Sequence, residues 1–246
     1  MSTPAGIAHP RWVSGAATDK GRVRAANQDA YLDRPDLGIW AVADGMGGHS
    51  EGALASRAIV EALAQVPRPR FLGTSVRTIR EVLGRVNEQL LEQAAARPDG
   101  DLIGSTIVVL VALGQHCAIL WVGDSRAYRL RDGDLTPVTV DHSQVQALID
   151  GGLLTQEAAE DHPLSNVLLR AVGSEGDLVV DGRIERLAAG DRYLLCSDGL
   201  YRELDPGTLA AMLGSAPPGE VAHSLVHQAC EHGGRDNVTA VVVDFS

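Results

Sequence analysis

Apolar positions along the chain fall into two kinds of run. Short runs of aliphatic and β-branched residues, bounded by Gly, Asp or Asn, predict strands over residues 11–18, 29–32, 39–43, 105–113, 116–122, 127–131, 135–138, 178–187, 193–196 and 238–245. Longer runs with apolar residues three and four apart predict helices over 51–65 and 74–96, the second marked by Val76, Ile79, Val82, Leu83, Val86 and Leu90. Pro67 and Pro69 separate them, and shorter helical patterns follow at 209–212 and 221–232. Gly114-Gln115 makes a hairpin of 105–113 and 116–122, and Asp132-Gly133-Asp134 turns the next two short strands, which are expected to continue the same antiparallel sheet. Residues 141–170 are polar, helical in pieces and interrupted by Gly151-Gly152, an excursion from the core.

Strands, two helices, many strands, two helices: this order predicts layered α+β architecture with antiparallel sheets rather than alternating βαβ units. At 246 residues the chain is expected to form one domain over 11–246, behind a flexible stretch at 1–10. Asp and Glu number 32 against 21 Lys and Arg, a net charge of −11, which argues against a nucleic-acid or anionic-membrane partner and suits cation binding. Cys117, Cys196 and Cys230 form neither a disulfide framework nor a zinc pattern, and no apolar run approaches the roughly 18 residues of a membrane span. A soluble, cytoplasmic protein is expected.

Two apolar strands end on Asp-Gly: 39–43 runs into Asp44-Gly45, and 193–196 leads through Ser197 into Asp198-Gly199. Asp124 likewise lies beyond a strand, whereas Asp29 and Asp236 lie at strand starts. In an antiparallel sheet the ends of up-strands and the starts of down-strands share an edge, so all five carboxylates can gather at one rim, with Gly104-Ser105-Thr106 beside them. Clustered carboxylates raise one another's pKa unless cations neutralise them, and an all-oxygen set without Cys or His suits Mg²⁺ or Mn²⁺. Gly45, Gly199 and Asn237 let the chain turn sharply next to an Asp and aim a backbone carbonyl inward. Any one Asp-Gly is ordinary turn chemistry; the set together is not.

Arg24-Ala-Ala-Asn-Gln-Asp29, Ala43-Asp-Gly-Met-Gly-Gly48, Gly104-Ser-Thr106, Gly123-Asp-Ser-Arg126, Cys196-Ser-Asp-Gly199 and Arg235-Asp-Asn-Val-Thr239 stand in the order and spacing of the metal-dependent Ser/Thr protein phosphatases, the PPM or type 2C class. The chain resembles that class from about Val13 to Asp244. The resemblance implies a four-layer α-β-β-α sandwich, two central antiparallel sheets flanked by helix pairs, with a flap subdomain at about 141–170. It implies that Asp44, Asp198 and Asp236 bind two Mn²⁺ or Mg²⁺ ions with the Gly45 carbonyl, that Arg24 holds the substrate phosphate, and that Gln28, Asp29 and Asn237 stand behind the ligands, the first two orienting water. Two metals roughly 3.5–4 Å apart would bridge a water and direct it in line at the phosphorus of phosphoserine or phosphothreonine. A third, weaker metal site beside the flap would draw on Asp124, Asp198 and Asn166; Asp124 has the alternative role of supporting the ligands from behind.

Where animal members of the class carry a His directly after the Asp-Gly, this chain has Met46, so it resembles the bacterial branch and protonation of the leaving group falls to metal-bound water, with His49 a surface or capping residue. The resemblance further implies phosphoprotein partners, a cognate bacterial Ser/Thr kinase and its substrates among them, and a monomer is expected. Two rival motifs are set aside. Cys196 to Arg202 has the spacing of cysteine-based phosphatases, but Asp198 inside that loop would repel a phosphate dianion. Asp132-Gly133-Asp134 is similar to an aspartyl phosphotransferase motif but reads as a hairpin turn without the following Thr. A non-catalytic phosphoprotein-binding module on the same fold is the alternative function, and the complete acidic set argues for the enzyme.

Overall fold

Alternate residues of strand β3 (Ile39–Met46) serve two different cores, as the period of two in a strand dictates. Ile39, Ala41 and Ala43 pack with Ile59 and Leu63 of α1 (Glu51–Ala64) and with Ile79, Leu83 and Leu90 of α2 (Leu72–Ala95), whereas Trp40 and Val42 face the opposite sheet. Strand β11 (Val238–Phe245) mirrors this: Val238, Ala240 and Val242 meet α6 (Pro206–Leu213) and α7 (Pro218–Glu231), while Val241, Val243 and Phe245 join Trp40 between the sheets. Three buried layers separated by two sheets make the expected α-β-β-α sandwich. The computed structural model describes residues 12–47, 51–68, 70–97, 102–160 and 162–246. The expectations for residues 1–10 and for His49 lie outside the described residues.

One sheet runs β1 (Trp12–Asp19), β11, β10 (Arg192–Cys196), β7 (Arg126–Arg131), β8 (Asp134–Pro137); the other runs β2 (Asp29–Arg34), β3, β5 (Ile107–Leu113), β6 (His116–Val122), β9 (Asp181–Arg186), with β4 (Gly104–Ser105) on the end of β3. Among the described residues these strands pair antiparallel. Edge-to-face contacts among Trp12, Trp40, Tyr193 and Phe245, with centroids 5.7–6.1 Å apart, tie the two sheets together. Full burial of Phe245 alone contributes roughly 1.5–3 kcal/mol.

Four sequence expectations are corrected. The strands after the β5–β6 hairpin do not continue its sheet: the chain crosses to the other one between β6 and β7. Gly123 makes the crossing, at φ +99° and with a virtual Cβ only 2.6 Å from Thr106 Cγ2, a corner closed to other residues. Asp44 and Gly45 do not lie beyond their strand but inside β3, where they pair with Asp29 and Ser105. Finally, a single helical turn, α5 (Asp198–Tyr201), follows β10 directly, and the strand expected at 178–187 shortens to β9.

The excursion at 141–170 is present. It carries α3 (Gln144–Asp150), N-capped by Ser143 Oγ accepting from the Gln146 amide, and α4 (Gln156–Glu160). Backbone bonds close its base, from Leu169 N to His142 O at 2.7 Å and from His142 N to Gly123 O at 2.9 Å, so the flap hangs from the same corner that positions Asp124.

Candidate active site

One rim of the sandwich receives an acidic residue from each of several elements. Asp29 opens β2 and pairs directly with Asp44 of β3; Asp124 stands in the crossing between sheets, Asp198 at the start of α5, and Asp236 just before β11. Asp44, Gly45, Asp124, Asp198 and Asp236 line a cleft of about 1400 Å³ that also takes in Arg24 and, on the far side, flap residues such as Asn166. The sequence-predicted carboxylates are therefore brought together, with Asp29 buried behind the others.

Small residues and amide contacts fix the rim. Asn237 Oδ1 accepts from the Gln28 amide at 2.8 Å, while its Nδ2 donates to Lys20 O at 2.9 Å and Ala26 O at 3.0 Å, stapling the loop that carries Arg24 to the start of β11. The Gln28 carbonyl in turn accepts from Gly45 N at 3.2 Å and Ser56 Oγ at 2.6 Å, so its backbone bridges the loop, β3 and α1. A Cβ on Gly45 would sit 2.1 Å from Gly52 O, and one on Gly199 would sit 2.1 Å from Asn237 O; both positions need the bare backbone for close approach rather than for an unusual φ.

Asp29 is held from behind. Its Oδ2 accepts from Ser197 Oγ at 2.7 Å and from Thr239 Oγ1 at 2.6 Å, while Oδ1 is buried without a hydrogen-bond partner. Burial pushes the Asp29 carboxyl up to about 7 against the pull of those two hydroxyls, and the charges of Asp198 and Asp236 add to the rise. Burial also drives Asp124 up to about 7, with Asp198 adding and Arg202 opposing, and takes Asp44 well above the usual carboxylate range, Asp29 and Asp198 reinforcing it. Asp198 is raised by burial too, less so because Arg202 is near, and its Oδ1 has no partner. Four carboxyls raised above their ordinary range by burial and by one another, two with orphaned oxygens, are a set of hard donors that fits a hard cation. Among the described residues no three His, Cys, Asp or Glu side chains gather on one point.

Arginines supply the positive charge. Arg24 Nη2 donates to Asp236 Oδ2 at 2.6 Å with its side chain half exposed to the cleft. Arg126 forks onto Asp141 with bonds of 2.7–3.2 Å and lies 3.7 Å over the Tyr201 ring, fastening the flap's first residue to β7. Arg202 reaches Asp198 at 3.1 Å and Asp124 at 3.6 Å, and donates to Ser165 O and Asn166 Oδ1 of the flap. Asn166 thus enters the rim through Arg202. Ser197, Arg202 and Thr239 stand inside the sequence motifs without an assigned part and Tyr201 carries none; the position of Arg202 four residues after Asp198 is its one local signal. The rival nucleophile Cys196 is fully buried, and burial pushes its thiol pKa up, away from thiolate chemistry. Asp132 sits at φ +53° in the β7–β8 turn, as ordinary hairpin chemistry requires.

The chain is similar to known proteins along nearly all of its length. The family model described as Protein phosphatase 2C matches residues 19–229. The serine/threonine protein phosphatase PstP of Mycobacterium tuberculosis is 38% identical over 230 residues, 93% of this chain, which spans only 44% of PstP's length. The serine/threonine phosphatase stp of Listeria welshimeri is 34% identical over 92% of this chain and 93% of its own. Among solved structures, PppA, described as a key regulatory component of T6SS in Pseudomonas aeruginosa, superposes with a TM-score of 0.89 at 39% identity, covering 97% of this chain and 99% of that one. The catalytic domain of PstP in complex with two manganese ions superposes with a TM-score of 0.84 at 34% identity over 95% and 98% of the two chains. With the family matched across most of its length and relatives above 30% identity over nearly all of it, this chain belongs to the protein phosphatase 2C family.

Proposed function

We propose that the chain is a Mn²⁺- or Mg²⁺-dependent protein phosphatase acting on phosphoserine and phosphothreonine, with residues 11–246 as one catalytic unit. One observation carries the reading: Asp44, Asp124, Asp198 and Asp236 line one wide cleft, Asp198 with a buried unpartnered oxygen, beside the exposed Arg24. Asp44, Asp198, Asp236 and the Gly45 carbonyl would hold two divalent ions; the similar PstP catalytic domain is known in complex with two manganese ions. Bound there, such ions supply the charge that offsets the carboxylates, screens the phosphate and acidifies a water.

The chain's own residues do the rest. Arg24 spends one N–H on Asp236 and has a planar fork of further donors for phosphoryl oxygens, which a lysine point charge would match less well. Ser197 and Thr239 fix Asp29 so that its unpartnered Oδ1 is a standing acceptor for water, and Asn237 with the Gln28 backbone keeps Arg24's loop at the rim. Met46 offers no proton to the leaving oxygen. The natural substrates under this reading are phosphoproteins, and a bacterial Ser/Thr kinase with its targets is the partner we assign. No helix among the described residues is long and apolar enough to cross a membrane. The non-catalytic alternative is not favoured by relatives that are themselves called phosphatases.

The test is dephosphorylation of a phosphothreonine peptide followed by mass spectrometry, with Mn²⁺ and with chelator. Loss of the phosphoryl mass from the peptide in Mn²⁺ but not in chelator is expected; an unchanged peptide in both would refute the activity.

A further inference from the structure

Arg202 is the C-cap residue of α5, one turn after Asp198. A single guanidinium there meets four acceptors from two parts of the molecule. Its Nε lies 3.1 Å from Asp198 Oδ2 and its Nη2 3.6 Å from Asp124 Oδ2, while Nη2 donates to Ser165 O at 3.1 Å and Nη1 donates to Asn166 Oδ1. Ser165 and Asn166 belong to the flap, far along the chain from its hinge at His142 and close to its return at Leu168. The rim and the flap are therefore joined through one permanently charged side chain, since guanidinium does not give up its proton in proteins.

We propose that Arg202 is a positioning residue that tethers the flap to the acidic rim by acting as the fixed counter-charge of Asp124 and Asp198, so that a further divalent cation taking those two carboxylates displaces the tether and frees the flap. The inference rests on the phosphatase reading above and deepens it. Two observations support the competition. Asp198 keeps a buried Oδ1 with no partner, so Arg202 leaves its carboxylate only partly satisfied. Arg202 also remains partly exposed, with 31% of its side chain open, so it can swing outward without unpacking a core. A guanidinium and a divalent ion on the same two carboxylates repel each other at short range, and the ion offers the greater charge. Flap loops of this kind govern access by large substrates more than they govern bond breaking. Divalent-ion concentration would then tune which phosphoproteins the cleft admits.

Two measurements decide it. Hydrogen exchange of the flap amides, 144–168, is followed in chelator for the wild type, Arg202→Ala and Asn166→Ala. Loss of charge-assisted bonds should speed exchange about 10-fold or more in both variants. Calorimetric Mn²⁺ titration then reads the weakest site. Arg202→Ala should tighten it about 10-fold, the reverse of what general damage would do, whereas Asn166→Ala should leave it unchanged. Should Arg202→Ala fold poorly, Arg202→Gln removes the charge while keeping donors, and the same tightening is expected. Unchanged flap exchange in Arg202→Ala overturns the tether; unchanged or weakened Mn²⁺ binding, or a wild type without a weak site, overturns the competition. Weakened Mn²⁺ binding in Asn166→Ala would make Asn166 a ligand and also overturn it. Because the exchange arm uses neither metal nor turnover, failure of the phosphatase reading would show separately.

Discussion

Arg24 Nη2 lies 2.6 Å from Asp236 Oδ2, so the residue assigned to the phosphate and a residue assigned to the metals are already one hydrogen-bonded pair. Asp236 uses its other oxygen to accept from the Asn237 amide at 2.8 Å, which leaves the arginine's remaining donors turned to the cleft. Arg24→Ala should cost about 10–100-fold in kcat/KM on an aryl phosphate, the range of one or two charge-assisted bonds, with Mn²⁺ binding retained. Steady-state kinetics beside calorimetry check this. A variant with wild-type kcat/KM would remove Arg24 from the phosphate site.

Stability without metal should fall as pH rises. Asp29 and Asp124 are each pushed up to about 7 in the folded chain, chiefly by burial, above an ordinary value near 3.8. Between those values the folded state binds more protons than the unfolded one, so the slope of stability against pH is negative. The contribution is present at low pH and lost as pH climbs toward 7. Thermal unfolding in chelator should show a higher Tm at pH 5 than at pH 7.5, and saturating Mn²⁺ should erase the difference by binding the ionised form. A Tm that rises with pH in chelator would contradict the electrostatic picture of the rim.

Cys196→Ser separates thiol from metal chemistry. The side chain is fully buried at the end of β10, with burial raising its pKa, and it packs with Leu194, Leu200 and Ala240. Turnover should stay within a few-fold of wild type, and the change should register as a lower Tm, from a stability loss of about 1–3 kcal/mol on placing a hydroxyl among apolar neighbours. A folded, Mn²⁺-binding but inactive Cys196→Ser protein would restore the cysteine mechanism.

The fold and the acidic set were legible because each functional Asp punctuates an apolar run, and punctuation is a local signal. Val238 to Phe245 and Ile39 to Ala43 read as strands from their apolar content, and their starts and ends placed Asp236 and Asp44 at one edge. Contacts that depend on distant parts of the chain were not legible. Thr239 Oγ1 reaches Asp29 across 210 positions, and Arg202 reaches Asn166 across 36, with no periodicity linking either pair. The crossing at Gly123 was missed because a hairpin followed by further short strands reads as one meander; only the crowding against Thr106 shows that the chain must leave the sheet there. The α5 turn was missed because four residues are too few for a helical period to show.

Mn²⁺ stoichiometry and turnover measured on the same samples test the central claim most directly, using the wild type, Asp198→Asn and Asp236→Asn. The carboxyls that converge on the cleft should bind two ions tightly in the wild type, activity should vanish in chelator and return with Mn²⁺, and either substitution should remove tight binding and turnover together. Full turnover of the wild type in chelator, or unaltered tight binding and activity in both variants, would contradict the assignment of this acidic rim as the catalytic metal centre.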